Sequence, residues 1–254
     1  MTKFEQLNQI VKKLRGPDGC DWDRKQTHES LMPYLLEEVY EVIEAIETKD
    51  FDLLKEELGD LLLHVVFQAD LAEEKNNFSI EDSIERVNKK LISRHPHIFD
   101  NKNNTTWAKG NWESQKQKEK KRDSILEGVP NSLPALLKSR RVQEKAASVG
   151  FDWKHKSEVL KKVDEEIDEL KDALDKNYGI EDELGDVLFT LVNLSRHLNI
   201  DPEKALRLST KKFSGRFKKI EKKLNDDNIK MSDLSIEKLD AIWEKNKKIQ
   251  INSV

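Results

Sequence analysis

The chain has 254 residues, a formal net charge of −4, 37% charged and 36% hydrophobic residues, and a single cysteine, Cys20. These figures exclude an internal disulfide and fit a reducing, cytoplasmic setting. They give no electrostatic case for stable nucleic-acid binding, and no apolar run reaches the roughly 18–20 residues that a membrane span needs. Phe4, Leu7, Ile10, Val11 and Leu14 recur at spacings of three and four, so Met1 to Arg15 reads as an amphipathic helix rather than a signal peptide. Gly16-Pro17-Asp18-Gly19 ends it in a turn, and Cys20 to Gln26 is expected to be a loop holding Trp22. Thr27 or Ser30 is expected to cap the next helix, which runs to about Lys49 on a stripe of Leu35, Leu36, Val39, Val42, Ile43 and Ile46.

Asp50 starts a helix reaching about Lys75 that is apolar on nearly every side, so Leu61 to Phe67 is expected to be core. Asn76-Asn77 breaks it. Ser79, with Asp82 three residues on, caps a helix that ends at Arg94-His95-Pro96. A helix carrying Trp107 and Trp112 is expected after the polar stretch Asn101 to Thr106, followed by the charge-dense Lys116 to Arg122. A domain boundary is expected there, giving residues 1–122 and 123–254. The second half predicts helices from about Leu133 to Val149, Ser157 to Lys176, Glu181 to Leu198 and Asp201 to Leu224, then a last helix with Leu239, Ile242 and Trp243. Val187 to Leu194 is expected to be core, as are Trp22 and Trp153. The text repeats: Cys20-Asp21-Trp22 matches Phe151-Asp152-Trp153, and Glu56-Glu57-Leu58-Gly59-Asp60 matches Asp182-Glu183-Leu184-Gly185-Asp186. The fold expected is all-α, a duplicated helical domain of four-helix-bundle type.

Glu38 and Glu41 lie three apart on the acidic helix of the first half, as do Glu166 and Glu169 in the second, and each pair shares one face. The following apolar helix carries Glu57 and Asp60, or Glu183 and Asp186, in its first turns. The intervening chain is long enough to finish one helix and start an antiparallel neighbour, so four carboxylates converge in each half. Like charges cannot all ionise at such distances without a counter-charge. Oxygen ligands, with no paired Cys or His, favour Mg²⁺ or Mn²⁺ over Zn²⁺, and Mg²⁺ bound by few carboxylates commonly completes its shell with substrate phosphates. Lys90 and Arg94, and in the second half Lys212 and Arg216, stand one helical turn apart and could grip a di- or triphosphate tail. Trp112 and Trp243 could offer a flat surface to a base.

The pattern Glu-Glu-x-x-Glu followed by Glu-x-x-Asp resembles the MazG nucleoside triphosphate pyrophosphohydrolases. The resemblance extends to Gly19-Cys20-Asp21-Trp22-Asp23, Gln26-Thr27-His28-Glu29-Ser30-Leu31, Ser93-Arg94-His95-Pro96-His97-Ile98-Phe99, Leu133-Pro134-Ala135-Leu136 and Gly150-Phe151-Asp152-Trp153, nearly the whole chain. It implies an all-helical homodimer that uses Mg²⁺ to hydrolyse ribo- and deoxyribonucleoside triphosphates to monophosphate and pyrophosphate, as nucleotide-pool housecleaning. It implies that Glu166, Glu169, Glu183 and Asp186 hold metal and that Lys162, Glu165, Lys212, Arg216 and Trp243 contact nucleotide. One of the four carboxylates, or Glu165, would act as base. The sequence departs from the family pattern at Asp21, where Pro is usual, and at Gly179, in a stretch where relatives can place a nucleotide-contacting lysine. Tyr34 stands in the first half where the second has Lys162, which favours the second half as the stronger site. The alternative function is a non-catalytic nucleotide- or metal-sensing helical module. A redox di-metal bundle ranks lower, because neither apolar helix carries the Glu-x-x-His such bundles use.

Overall fold

The computed structural model describes residues 1–99 and 123–251, with the side chains of 246–251 left aside. Among the described residues there are eleven α-helices, one 3-10 turn and no strand. The chain divides into two compact units, residues 1–107 and 108–254. The predicted helix with Trp107 and Trp112, and the stretch Lys116 to Arg122, lie outside the described residues.

In the first unit α1 (Lys3–Arg15) starts at a capping box in which the Thr2 hydroxyl accepts from Glu5 N at 3.1 Å. Its end is sealed by Cys20 N donating to Leu14 O at 2.8 Å. A Cβ on Gly19 would lie 2.0 Å from that same carbonyl, so only glycine fits there. The expected loop after it contains a short helix, α2 (Asp21–Arg24). Helix α3 (Met32–Thr48) begins after Leu31, with Pro33 in its first turn and no side-chain cap. Thr27 and Ser30 instead cap each other, each backbone N–H donating to the other's hydroxyl at 2.9 and 3.1 Å. That closes a turn one residue short of the helix and corrects the expected cap. Lys49, left-handed at φ 59°, reverses the chain into α4 (Phe51–Glu74), where Asp50 accepts from Leu53 N at 3.0 Å. Two long helices joined by two residues must pack side by side, and α3 and α4 form the hairpin of this unit.

Helix α1 lies on α4, and Val11, Leu31, Val66, Phe67 and Leu71 make the core between them. Arg15 is buried with its charge fully engaged. Its Nε donates to Asp70 at 2.8 Å, Nη1 to Asp23 O at 2.8 Å and Nη2 to Glu74 at 2.6 Å, with the guanidinium over the Phe67 ring. Helix α5 (Ile80–Arg94) opens on the Ser79–Asp82 capping box, and α6 (Pro96–Phe99) is a single turn beyond it.

The second unit repeats the hairpin. Helix α7 (Ala135–Ser148) precedes it, α8 (Lys156–Lys176) is the acidic arm and α9 (Ile180–His197) the apolar arm. Asn177 at φ 51° and Gly179 at φ 76° turn the chain between them. Val159, Val163, Val187 and Val192 are buried along this unit's helices. Helix α10 (Pro202–Asp226) starts at Asp201, which accepts from Lys204 N at 2.9 Å. A 3-10 turn (Met231–Asp233) leads into α11 (Ile236–Ile251), which packs on α10.

The apolar arms are less buried than their composition predicts. In α4 only Val66 and Phe67 of the expected core stretch are buried, while Leu58, Leu62 and Val65 remain 49, 39 and 46% exposed. In α9 Leu184, Leu188, Phe189 and Leu191 are exposed, and in α3 so are Leu36 and Ile46. The physical reason is geometric: a hairpin partner covers one side of a helix, and an all-round apolar helix needs neighbours on the other side as well. Trp22 and Trp153, expected in the core, are 52 and 47% exposed, and Trp22 stacks edge-on against Tyr34 with ring centres 6.0 Å apart.

Candidate functional site

The hairpins determine which carboxylates meet. A helix presents positions three and four apart on one face, and antiparallel packing sets the acidic face of each first arm beside the N-terminal turns of the second. In the first unit Glu38 and Glu41 of α3 and Glu57 of α4 each place a carboxylate oxygen within 4.8 Å of the others. In the second, Glu166 of α8 and Glu183 and Asp186 of α9 do the same. Glu57 and Glu166 are the buried members, 8 and 6% exposed. The fourth acid stands beside each triad rather than within it. Asp60 repels the charge on Glu38 and Glu57, and Glu169 hydrogen-bonds Glu166.

The two clusters balance their charge differently. Burial, then the negative charges of Asp60, Glu41 and Glu57, push the Glu38 carboxyl up to about 7. Burial raises Glu57 as well, reinforced by Glu41, Glu56 and Asp60. In the second cluster Lys162 Nζ lies 2.8 Å from Glu165 and 3.0 Å from Glu166. Those two hydrogen bonds hold the lysine charged, well above its ordinary range. Burial raises Glu169, opposed by Lys162. The chemistry of both donor sets fits a hard divalent cation: converging carboxylates, two of them buried, with a lysine already standing in for positive charge in one cluster.

Arg216 and the aromatic residues of the second unit meet where α10 and α11 pack together. Arg216 Cζ lies 5.8 Å from the centre of the Trp243 ring, and Phe213 meets Trp243 at 5.0 Å and Phe217 at 6.0 Å. Phe213, Phe217, Ile220, Leu239, Asp240 and Trp243 are among the residues that line a pocket of about 340 Å³. Lys212 is exposed one turn before Arg216 on α10. In the first unit Lys90 is exposed but Arg94 is buried at the end of α5, so the pair does not present a common exposed grip. Trp112 lies outside the described residues.

A model described as the MazG nucleotide pyrophosphohydrolase domain matches the chain twice, at residues 26–99 and 154–220. The chain belongs to the MazG family. A Thermotoga maritima protein named nucleoside triphosphate pyrophosphohydrolase/pyrophosphatase MazG is 52% identical over 246 residues, covering 96% of this chain and 95% of that one. An Escherichia coli K12 protein named nucleoside triphosphate pyrophosphohydrolase is 39% identical over 262 residues, covering 99% of this chain and all (100%) of that one. An uncharacterised Bacillus subtilis protein, YabN, is 40% identical over 260 residues, with this chain spanning 53% of its length. Each MazG match contains one complete hairpin with all four of its acids, and the second ends before Trp243.

One neighbour of the first cluster escapes reading from sequence. His64 Nε2 lies 3.9 Å from Glu38 Oε1, and the ring is 12% exposed. An isolated histidine on an apolar helix reads as core. The available signal was its spacing, four residues after Asp60 and seven after Glu57 on the same stripe.

Proposed function

We propose that this protein hydrolyses nucleoside triphosphates to nucleoside monophosphate and pyrophosphate, with Mg²⁺ or Mn²⁺ held by Glu166, Glu169, Glu183 and Asp186. The observation that carries the reading is the convergence of Glu166, Glu183 and Asp186 within 4.8 Å, in a chain whose relatives from Thermotoga maritima and Escherichia coli bear that activity in their names. Glu38, Glu41, Glu57 and Asp60 form the corresponding site of the first half.

A divalent ion bound there neutralises phosphate charge and lowers the pKa of a water beside it. The protein's own groups do the rest. Lys162 exchanges Glu165 and Glu166 for a phosphate oxygen, which frees Glu166 for the cation. Glu165, or a carboxylate of the cluster, takes the proton of the attacking water. Lys212 and Arg216 balance the charge that grows on the leaving pyrophosphate. Trp243 and Phe213 stack on the base in the pocket of about 340 Å³. A pocket lined mainly by rings and aliphatic groups grips the face of a base and leaves its edges largely unread, which supports acceptance of different bases and a housecleaning role on ribo- and deoxyribonucleotides.

The exposed stripes Leu58, Leu62, Val65 and Leu184, Leu188, Leu191 recur at spacings of three and four. Their number and helical register support pairing with a second copy of the chain as a homodimer. Product analysis on a panel of NTPs and dNTPs tests the activity. Monophosphate and pyrophosphate, lost in EDTA, are expected. Diphosphate and orthophosphate, or nucleotide binding without turnover, would contradict the reading.

A further inference from the structure

The Gly150-Phe151-Asp152-Trp153 motif lies outside the groups assigned to hydrolysis, yet it closes one side of a second pocket. That pocket, of about 490 Å³, lies within the second unit where α7 packs on α9. Phe151, Trp153 and Phe189 give it ring surface, and Val142 and Ala146 give it aliphatic surface. The corresponding stretch of the first unit is filled. Setting Gly59-Asp60 against Gly185-Asp186 aligns Phe67 with Asn193 and Asp70 with Arg196. Phe67 is core, packed with Val11 and Leu71 under the Arg15 guanidinium that pairs with Asp70. In the second unit the smaller Asn193 lines the pocket, and Arg196 turns to the motif, its Nη1 donating to Asp152 at 2.8 Å.

Two polar atoms on residues lining this pocket are unmet. Gln143 is 6% exposed, and its Nε2 donates to Phe189 O at 2.9 Å. That bond fixes the amide, because the reverse orientation would set oxygen against oxygen. Oε1 is left buried with no hydrogen-bond partner among the described residues. Arg196 has both Nη groups engaged, Nη1 by Asp152 and Nη2 by Asp152 and by Asn193 at 2.7 Å, while its Nε is buried without a partner. A buried acceptor and a buried donor are each costly to leave unmet. They call for a ligand that carries both an N–H and an acceptor, and the rings call for a flat one. Asp152 already balances the Arg196 charge, and no other cation is among the lining residues, so a phosphate would enter uncompensated. An uncharged, planar nitrogen heterocycle meets all three demands.

We propose that the α7–α9 pocket is a second nucleobase site. It binds an uncharged base or nucleoside, whose ring N–H donates to Gln143 Oε1 and whose acceptor takes Arg196 Nε, with the ring against Phe151 and Trp153. It shares no lining residue with the pocket around Trp243. Asn193 follows Asp186 by seven residues, about 10 Å and two turns along one face of α9, so this site and the carboxylate cluster share one rigid element. The inference goes beyond the hydrolytic reading and does not depend on it.

Titration calorimetry on the full chain in EDTA tests it with hypoxanthine, inosine, uridine, 1-methylinosine and inosine monophosphate. Saturable binding of inosine and uridine at one site per chain is expected. Equal affinity for hypoxanthine would assign the base as ligand, and a tenfold preference for inosine the nucleoside. Two probes should bind at least about tenfold more weakly than inosine: 1-methylinosine, which stacks as well but lacks the ring N–H, and the charged monophosphate. Gln143→Leu should weaken inosine by a similar factor and erase its advantage over 1-methylinosine. Asn193→Phe, which restores the ring of the first unit, should abolish binding with the melting temperature and pyrophosphate release from NTPs retained. No saturable binding by wild type would overturn the site without recourse to any variant. Wild type that binds 1-methylinosine as tightly as inosine would overturn the Gln143 contact, and tighter binding of the monophosphate would overturn the uncharged ligand. Inosine binding lost in Trp243→Ala but kept in Asn193→Phe would place the nucleoside in the other pocket and overturn the proposal.

Discussion

Glu38→Gln should stabilise the protein without metal and weaken it with metal. Glu38 ordinarily titrates near 4.5 and is pushed up to about 7 by burial and by Asp60, Glu41 and Glu57. A carboxyl whose folded pKa is raised helps the fold below its unfolded pKa and loses that help as pH rises through the folded value. Between about pH 4.5 and 7 the native unit therefore gives up stability. At about 1.36 kcal/mol per pH unit the loss is capped near 3 kcal/mol. The side chain is 20% exposed, and screening by water brings the expected figure to about 1–2 kcal/mol. Glutamine removes the charge, so at pH 8 in EDTA the first unit of the variant should melt as though about 1–2 kcal/mol more stable, with no difference at pH 4.5. Saturating Mn²⁺ should reverse the order, because binding at one hundred times Kd adds about 2.7 kcal/mol to wild type and far less to the variant. Calorimetry that separates the transitions of the two units, at both pH values with and without metal, measures this directly. Wild type more stable than Glu38→Gln at pH 8 in EDTA would refute the reasoning, since it would mean that Glu38 is already neutralised from within the protein.

Arg15→Met leaves Asp70 buried without its partner and should cost about 3–5 kcal/mol, while Arg15→Met/Asp70→Leu should recover most of it; chemical denaturation of both variants checks the difference. Lys162→Met removes the positive group beside Glu166, 3.0 Å away. Mn²⁺ binding without nucleotide should tighten by roughly fivefold, about 1 kcal/mol, while KM for nucleotide rises, as titration calorimetry and steady-state kinetics would measure. Leu188→Glu places a charge on the exposed stripe of α9; if two copies pair through that stripe as proposed, light scattering should show a shift from dimer to monomer, with little change in the helical circular-dichroism signal.

Helix order, the two hairpins and the acidic arms were legible in the sequence because spacing of three and four, strong caps at Asp50, Ser79 and Asp201, and the breakers Asn76-Asn77 and Gly179 are local signals. The start of α3 was misread because Thr27 and Ser30 hydrogen-bond each other's backbone, an alternative open to any short hydroxyl residue beside a turn. The depth of burial was also misread. Composition shows that α4 and α9 want apolar neighbours all round, but it does not say whether those come from the same chain, and Leu62 and Leu188 are left exposed. Convergence of acids followed from hairpin geometry, whereas which three of the four would meet depended on rotamers. Asp60 stands aside in one half and Glu169 in the other. His64 was illegible for a related reason: its meaning comes from Glu38, on another helix, rather than from its neighbours in α4.

The most direct test of the central claim compares wild type, Glu183→Gln, Glu57→Gln and the double variant for monophosphate and pyrophosphate release from NTPs with Mg²⁺. Activity that survives Glu57→Gln and falls at least about a hundredfold with Glu183→Gln is the predicted result, equivalent to about 2.7 kcal/mol or more of lost transition-state stabilisation. Full activity in Glu183→Gln would contradict the assignment of the main site to the Glu166–Glu183–Asp186 cluster.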